Sequence, residues 1–389
     1  MPELSIAGVL HPDVMISDRF PLDDYPKALD QFRASVGQRT LQVRPLIDKE
    51  PLMRAAVLRG PRDVVVEERP QPRPGPAEVL VRVHSVGVCG SDTHYYDHGR
   101  IGRFVVEDPL VLGHEASGQI VEVGPGVPGT RAGERVSIEP GLPDLTCEHC
   151  LAGRYNLCPN MRFFATPPID GAFAEYVVVH EAFAHPVPDA IGDDAAALLE
   201  PLSVAVWACR KARVSAGSRV LVTGAGPIGL ACVQTALAFG ATEVTVSDVN
   251  PRRLVLAEEL GATAVVHARK TRVTARDRAP TVLLECSGYP PAIVDGIRAL
   301  DRAGRAVLVG MGGDEIPLPL AVVQERELEV TGTFRYANTW PTAIALVASG
   351  RVDLDRLVTG HYRLDQAEEA LTAGHRDENA VKVVLRPQT

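Results

Sequence analysis

Residues 219–248 read RVLVTGAGPIGLACVQTALAFGATEVTVSD. An apolar run at 220–222 leads into Gly224-Ala225-Gly226-Pro227-Ile228-Gly229, a helical stretch follows to Gly240, and a second strand ends at Asp248. Such a glycine triplet is weak evidence alone. Between a strand and a helix, with an acid about twenty residues on, it is the full dinucleotide fingerprint. The first glycine permits a tight turn, the second lets backbone approach a pyrophosphate, and the third lets helix and strand pack closely. The helix start offers unpaired N–H groups to phosphates. Asp248 would accept hydrogen bonds from the adenosine ribose and repel a 2′-phosphate, which favours NAD over NADP. Arg252 and Arg253 follow; they read as solvated charges at a helix start, and could otherwise soften that preference. The candidate cofactor contacts are Gly224, Gly226, Pro227, Ile228, Gly229, Asp248 and Arg253.

Downstream, helical patterns at 254–260 and 293–300 alternate with strand patterns at 281–286, 306–310 and 328–331. This alternation predicts an α/β domain with a doubly wound parallel sheet over residues 204–335. Upstream, residues 53–203 are rich in Val, Gly and Pro, with short runs such as VLVRVHSVG and AEYVVV. They predict a mostly antiparallel, irregular β domain, to which residues 336–389 are expected to return.

Residues 11–45 align without gaps on 353–387, with identities at Asp13/Asp355, Leu22/Leu364, Asp23/Asp365, Ala28/Ala370, Leu29/Leu371, Arg44/Arg386 and Pro45/Pro387. Residues 1–52 thus read as an extension resembling a second copy of the tail. One copy can occupy the tail's place, and the C-terminal one has the shorter connection. A chain beginning at Met53 is expected to keep full activity.

The bulk numbers bound the function. A length of 389 residues suggests more than one domain, and 46% hydrophobic residues suit soluble packed cores. A net charge of -9 argues against nucleic acid or an anionic membrane as partner. No apolar run reaches membrane-spanning length, and the first residues lack a signal-peptide layout. Seven cysteines, three of them clustered, point to metal ligation in a reducing compartment, hence the cytoplasm.

Two groups of residues have the chemistry of metal ligands. Cys89 lies in VGVCGSDTHYYDHGRIGRF, and His114-Glu115 follow in VLGHEASG. A thiolate, an imidazole and a carboxylate suit zinc, and three protein ligands leave one position open for catalysis. Singly, each has a plainer reading: a buried thiol, a core histidine, a solvated charge. The second group is Asp144, Cys147, Cys150 and Cys158 in DLTCEHCLAGRYNLC. Here an acid holds the first ligand position with an oxygen that zinc accepts.

Together, the motifs CGSDTHYYDHGRIGRF, VLGHEASG, GRYNLCPNMRFFATPPIDGAFAEYVV, LLEPLSVAVWACRKA, VTGAGPIGL and TGTFRYANTWP resemble the zinc-dependent medium-chain dehydrogenase/reductase family, in its polyol (sorbitol and xylitol) branch. The resemblance covers nearly everything after residue 52. It implies a GroES-like catalytic domain joined to a Rossmann domain, a homo-oligomer (dimer or tetramer), and oxidation of a small-molecule polyol by hydride transfer to NAD. It implies Cys89, His114 and Glu115 as ligands of a catalytic zinc. Glu200, in LLEPLS, stands where simple alcohol dehydrogenases have a second cysteine ligand; Glu115 and Glu200 both remain open as the direct carboxylate ligand. Ser91 and His94 sit as a proton-relay pair does in alcohol dehydrogenases, and Glu200 with a water is the competing and preferred route. Ser91, Tyr95, Glu200, Arg335 and Tyr336 are implied to meet substrate hydroxyls, with Ile101, Phe163 and Phe334 as apolar walls. Asp144, Cys147, Cys150 and Cys158 fall in the lobe where relatives hold a structural zinc. The alternatives are a dehydrogenase for a smaller secondary alcohol, a diol such as butanediol, or threonine, and a non-catalytic NAD-binding protein.

Overall fold

A computed structural model describes Lys27, residues 51–273, 278–313 and 315–389. The chain divides into residues 1–52 and 53–389; the N-terminal copy of the tail therefore lies outside the described residues, apart from Lys27.

Within residues 53–389 a six-stranded sheet follows the dinucleotide fingerprint. Its order is Ala264–His267, Glu243–Asp248, Arg219–Thr223, Val282–Glu285, Arg305–Leu308, Glu329–Gly332, and every pairing is parallel. In sequence rank this is 3-2-1-4-5-6, whose order reverses between the Arg219–Thr223 and Val282–Glu285 strands and opens a crevice at their carboxyl ends. The strands Val220–Val222 and Val282–Leu284 are buried on both faces because helices cover the sheet. The strand Ala264–His267 was not evident in the sequence pattern. It is four residues long and mostly half-buried, so it has neither an apolar run nor a full alternation to signal it.

The second large sheet has seven strands in a mixed arrangement. Ala184–Pro186, Arg135–Ile138, Glu115–Val123 and Glu78–Gly87 pair in that order, and Tyr176–His180 also pairs with Glu78–Gly87. The strands Lys382–Arg386 and Val358–Arg363, from the end of the chain, then extend it. This returning segment is held by apolar burial: Leu364, Leu371 and Leu385 are each at most 1% exposed. Each such leucine contributes about 1.5–3 kcal/mol relative to an exposed one. Two of these three, Leu364 and Leu371, recur as Leu22 and Leu29 in the N-terminal copy.

Trp340, fully buried at the start of the helix Trp340–Ala348, donates its indole N–H to Ser137 Oγ at 3.0 Å. That bond ties the helix to the seven-stranded sheet, while the helix Leu199–Lys211 packs against both Trp340–Ala348 and Pro227–Ala238.

Candidate active site

The pairing of Glu78–Gly87 with Glu115–Val123 sets Gly87 directly opposite Glu115. A β-carbon on Gly87 would stand 2.1 Å from Glu115 Oε2, so glycine there makes room for the carboxylate. Cys89 follows, two residues past the strand end, as the cap of the helix Gly90–His98. Ligand atoms of Cys89, His114 and Glu115 lie within 4.8 Å of one another.

Asp92 holds this arrangement together and was not singled out from sequence. Its fully buried carboxylate accepts the Cys89 N–H at 2.9 Å and the Gly113 N–H at 3.0 Å, and lies 3.6 Å from His114 Nδ1. One side chain thus fixes the loops that carry both ligands and orients the imidazole. Its only sequence signal is an acid at the third position of a helix first turn, which reads as a capping residue.

Lys382 was also missed. It arrives on the last strand and donates to Glu115 Oε1 at 2.7 Å and to the Val88 carbonyl at 2.9 Å. Both members of the pair are buried, at 3% and 1% side-chain exposure. Burial opposes the Lys382 ammonium, but Glu115 and Cys89 outweigh it and raise its pKa. In the ungapped repeat alignment, Thr40 stands where Lys382 does, so the N-terminal copy lacks this cation.

The donor set fits a divalent cation. Glu115 Oε2 is buried and has no hydrogen-bond partner among the described residues, an arrangement that is costly unless something positive meets it. Burial disfavours a charged His114, yet Asp92 and Cys89 outweigh burial and hold its pKa well above the ordinary value. A thiol, an imidazole and a bare carboxylate oxygen at this spacing suit zinc. Glu200 is not part of this cluster. It lies buried in the first turn of Leu199–Lys211 and accepts the Tyr336 hydroxyl at 2.6 Å. Burial, then the charge of Glu115, push its pKa up to about 7.

The remaining site residues split into two groups. Phe163 lies between His114, at 5.7 Å between ring centroids, and the Arg335 guanidinium, 3.7 Å above its ring. Arg335 also reaches over Phe334, at 4.9 Å, and has no hydrogen-bond or ion-pair partner among the described residues. Tyr95 is buried and its pKa is raised to about 12, chiefly by burial, in the field of Arg335, Asp92 and His114. Ile101 lies on a two-residue strand packed against the core of the seven-stranded sheet. Ser91 is half-buried, whereas His94 is exposed and packs edge-on against His98 at 4.6 Å, on the outer side of its helix.

In the second cluster, ligand atoms of Asp144, Cys147, Cys150 and Cys158 also lie within 4.8 Å of one another. Asp144 Oδ1 accepts from the Thr146 and Cys147 N–H groups at 2.8 and 2.9 Å, and Oδ2 accepts from Asn160 Nδ2 at 2.7 Å. These bonds hold its carboxyl well below the usual range. Burial, then Cys147 and Cys158, push the Cys150 thiol up to about 12. Three crowded sulfurs and a fixed carboxylate fit a tetrahedral zinc.

At the dinucleotide crevice Gly224 has φ 86°, and an added β-carbon on Gly229 would stand 1.8 Å from the Gly224 carbonyl oxygen. Gly226 caps the helix Pro227–Ala238, with Pro227 in its first turn and Ile228 next. Asp248 accepts from the Ala225 N–H at 2.6 Å and the Asn250 N–H at 2.7 Å, which places its carboxylate beside the turn. Arg253 donates to the Ala380 carbonyl at 3.1 Å and so bridges to the returning segment.

A dinucleotide crevice joined to a sheet that presents a thiol, an imidazole and a carboxylate defines a metal-site dehydrogenase. Residues 75–189 match the alcohol dehydrogenase GroES-like domain, and residues 227–349 match the zinc-binding dehydrogenase family. The chain belongs to the zinc-dependent medium-chain dehydrogenases, and it is an oxidoreductase. It is 45% identical over 340 residues to a sorbitol dehydrogenase of Gallus gallus, covering 85% of this chain and 96% of that one. Among solved structures it resembles L-idonate 5-dehydrogenase of Escherichia coli, with TM-score 0.82, 31% identity, and coverage of 87% and 99% of the two chains. It also resembles 2R,3R-butanediol dehydrogenase of Bacillus subtilis, with TM-score 0.79, 32% identity, and coverage of 86% and 99%.

Proposed function

We propose that this protein oxidises a polyol of the sorbitol or xylitol type to the ketose, with NAD as hydride acceptor. The observation that carries this reading is Arg335. It is a half-buried guanidinium with unpaired donors, stacked beside the Cys89–His114–Glu115 cluster and near the Glu200–Tyr336 pair. A pocket with several such groups favours a substrate with several hydroxyls, because a plain alcohol leaves them unpaired.

In this reading Cys89, His114 and Glu115 hold the catalytic zinc, which supplies Lewis acidity toward the reacting hydroxyl when bound. Glu200 is the proton acceptor: its raised pKa suits exchange near neutral pH, and Tyr336 orients it. The exposure of His94 weighs against the Ser91–His94 relay, and leaves Ser91 a substrate contact. Tyr95, Arg335 and Tyr336 meet hydroxyls; Ile101, Phe163 and Phe334 limit access of water. The Rossmann glycines and Asp248 seat NAD, with Arg253 at the ribose end. The protein works in the cytoplasm as a homo-oligomer. Asp144, Cys147, Cys150 and Cys158 hold a second, structural zinc.

Initial rates on sorbitol, xylitol, ribitol, butanediol and threonine, with NAD and NADP, test the substrate. A preference for butanediol or threonine over every polyol would reject the reading. Metal analysis should find about two zincs per chain if both sites fill with one ion each; a single zinc would remove the structural site. Glu200→Gln is expected to lower kcat about a hundredfold, as loss of a general base does, while zinc per chain stays unchanged. A matching loss of zinc would make Glu200 a ligand instead.

A further inference from the structure

The cysteine lobe and the segment that carries Arg335 are far apart in sequence, yet three hydrogen bonds join them. Asn156 Nδ2 donates to the Phe334 carbonyl at 2.8 Å. The Asn338 N–H donates to the Tyr155 hydroxyl at 2.8 Å, and Asn338 Nδ2 donates to the Gly153 carbonyl at 2.9 Å. Gly153, Tyr155 and Asn156 lie directly between Cys150 and Cys158. Asn156 is 4% exposed in a short 3-10 turn, and its Oδ1 has no partner among the described residues. Its one hydrogen bond is therefore the one to the 334–338 loop.

That loop needs restraint. Arg335 and Asn338 both have left-handed backbones, with φ 51° and 56°. A non-glycine residue persists there only when its surroundings over-determine it, and such positions gather at ligand clamps. The restraint from the lobe falls on Phe334 and Asn338, on either side of Arg335 and Tyr336. Tyr155 is itself anchored, donating its hydroxyl to buried Glu139 at 2.7 Å.

We infer that Asn156, with Tyr155 and Gly153, positions the loop that presents Arg335 and Tyr336, so that the cysteine lobe sets selectivity for polyols over simple alcohols. Asn156 is a positioning residue: it acts through the loop rather than by touching substrate. The inference rests on Arg335 and Tyr336 meeting substrate, as proposed above.

The test compares Asn156→Ala, Asn338→Gly and Arg335→Ala on sorbitol or xylitol, on 2-propanol, and on NAD. Asn156→Ala is expected to raise the polyol KM by on the order of tenfold, the scale of one buried hydrogen bond. Its kcat, its KM for NAD and its rate on 2-propanol should change less than about twofold, because those depend on groups outside the loop. Asn338→Gly is exposed and keeps the left-handed backbone available, so it should fold as wild type and raise the polyol KM severalfold. It carries the test if Asn156→Ala does not fold. If Arg335→Ala raises the polyol KM but neither Asn variant does, the positioning role is overturned and the substrate reading stands. The same holds if the Asn variants only lower thermal stability or lower turnover on every substrate equally. If Arg335→Ala itself leaves the polyol KM unchanged, the substrate reading fails first.

Discussion

Cys89→Ser is expected to lower kcat/KM for the polyol about a thousandfold, the scale on which a preorganised charge-stabilising group acts. Serine keeps the size and nearly the shape of the side chain, and the Cys89 N–H would still bond Asp92. The helix start and the Gly113 loop should therefore be undisturbed. What is lost is the thiolate, the softest donor in the set. Zinc per chain should fall by about one, because the Asp144–Cys158 cluster shares no ligand with this site. Turnover near wild type in Cys89→Ser would remove the metal from the proposed mechanism. Turnover lost with zinc content intact would keep the metal and move its ligand elsewhere.

Lys382→Met should destabilise the fold by about 3–5 kcal/mol, the usual cost of breaking a buried ion pair from one side. Methionine fills the volume, so packing is little changed; the loss comes from a Glu115 carboxylate with no cation beside it. The Val88 carbonyl loses its donor as well. Urea unfolding measures the effect, and a chelator sharpens it. A cation at the Cys89 site also offsets Glu115, so the variant should lose more stability after chelation than before. A midpoint unchanged under both conditions would show that the pair is solvated in solution. The same variant separates the two copies of the tail, since Thr40 occupies the matching position in residues 11–45. The N-terminal copy repeats buried leucines of the closing segment without its charge.

Much of this protein was legible in its residues. The parallel sheet follows from apolar runs interrupted by GAGPIG, because a strand, a glycine turn and a helix leave a distinctive local pattern. Cys89, His114, Glu115 and the Asp144–Cys158 set were legible because metal ligands are few in kind and their spacing is local. Asp92 and Lys382 were not. Each is a common charged residue whose importance lies in what it faces. Asp92 reads as a helix cap until Gly113 and His114 are folded against it. Lys382 reads as one more polar position in a strand until Glu115, 267 residues away, lies beside it.

The lobe between Cys150 and Cys158 marks the same boundary. Its sulfurs and the Asp144 oxygen announced a metal site from their order in the chain. That Asn156 and Tyr155 reach residues 334–338 could not be read there, since hydrogen bonds between distant loops leave no periodicity. By itself the sequence determined the fold class, the dinucleotide turn and both sets of candidate ligands, because local spacing and burial pattern encode them. Tertiary structure alone decided which carboxylate stands free to meet a metal, which cation balances it, and which loop the lobe holds. Those depend on contacts made across hundreds of residues, where identity matters less than position.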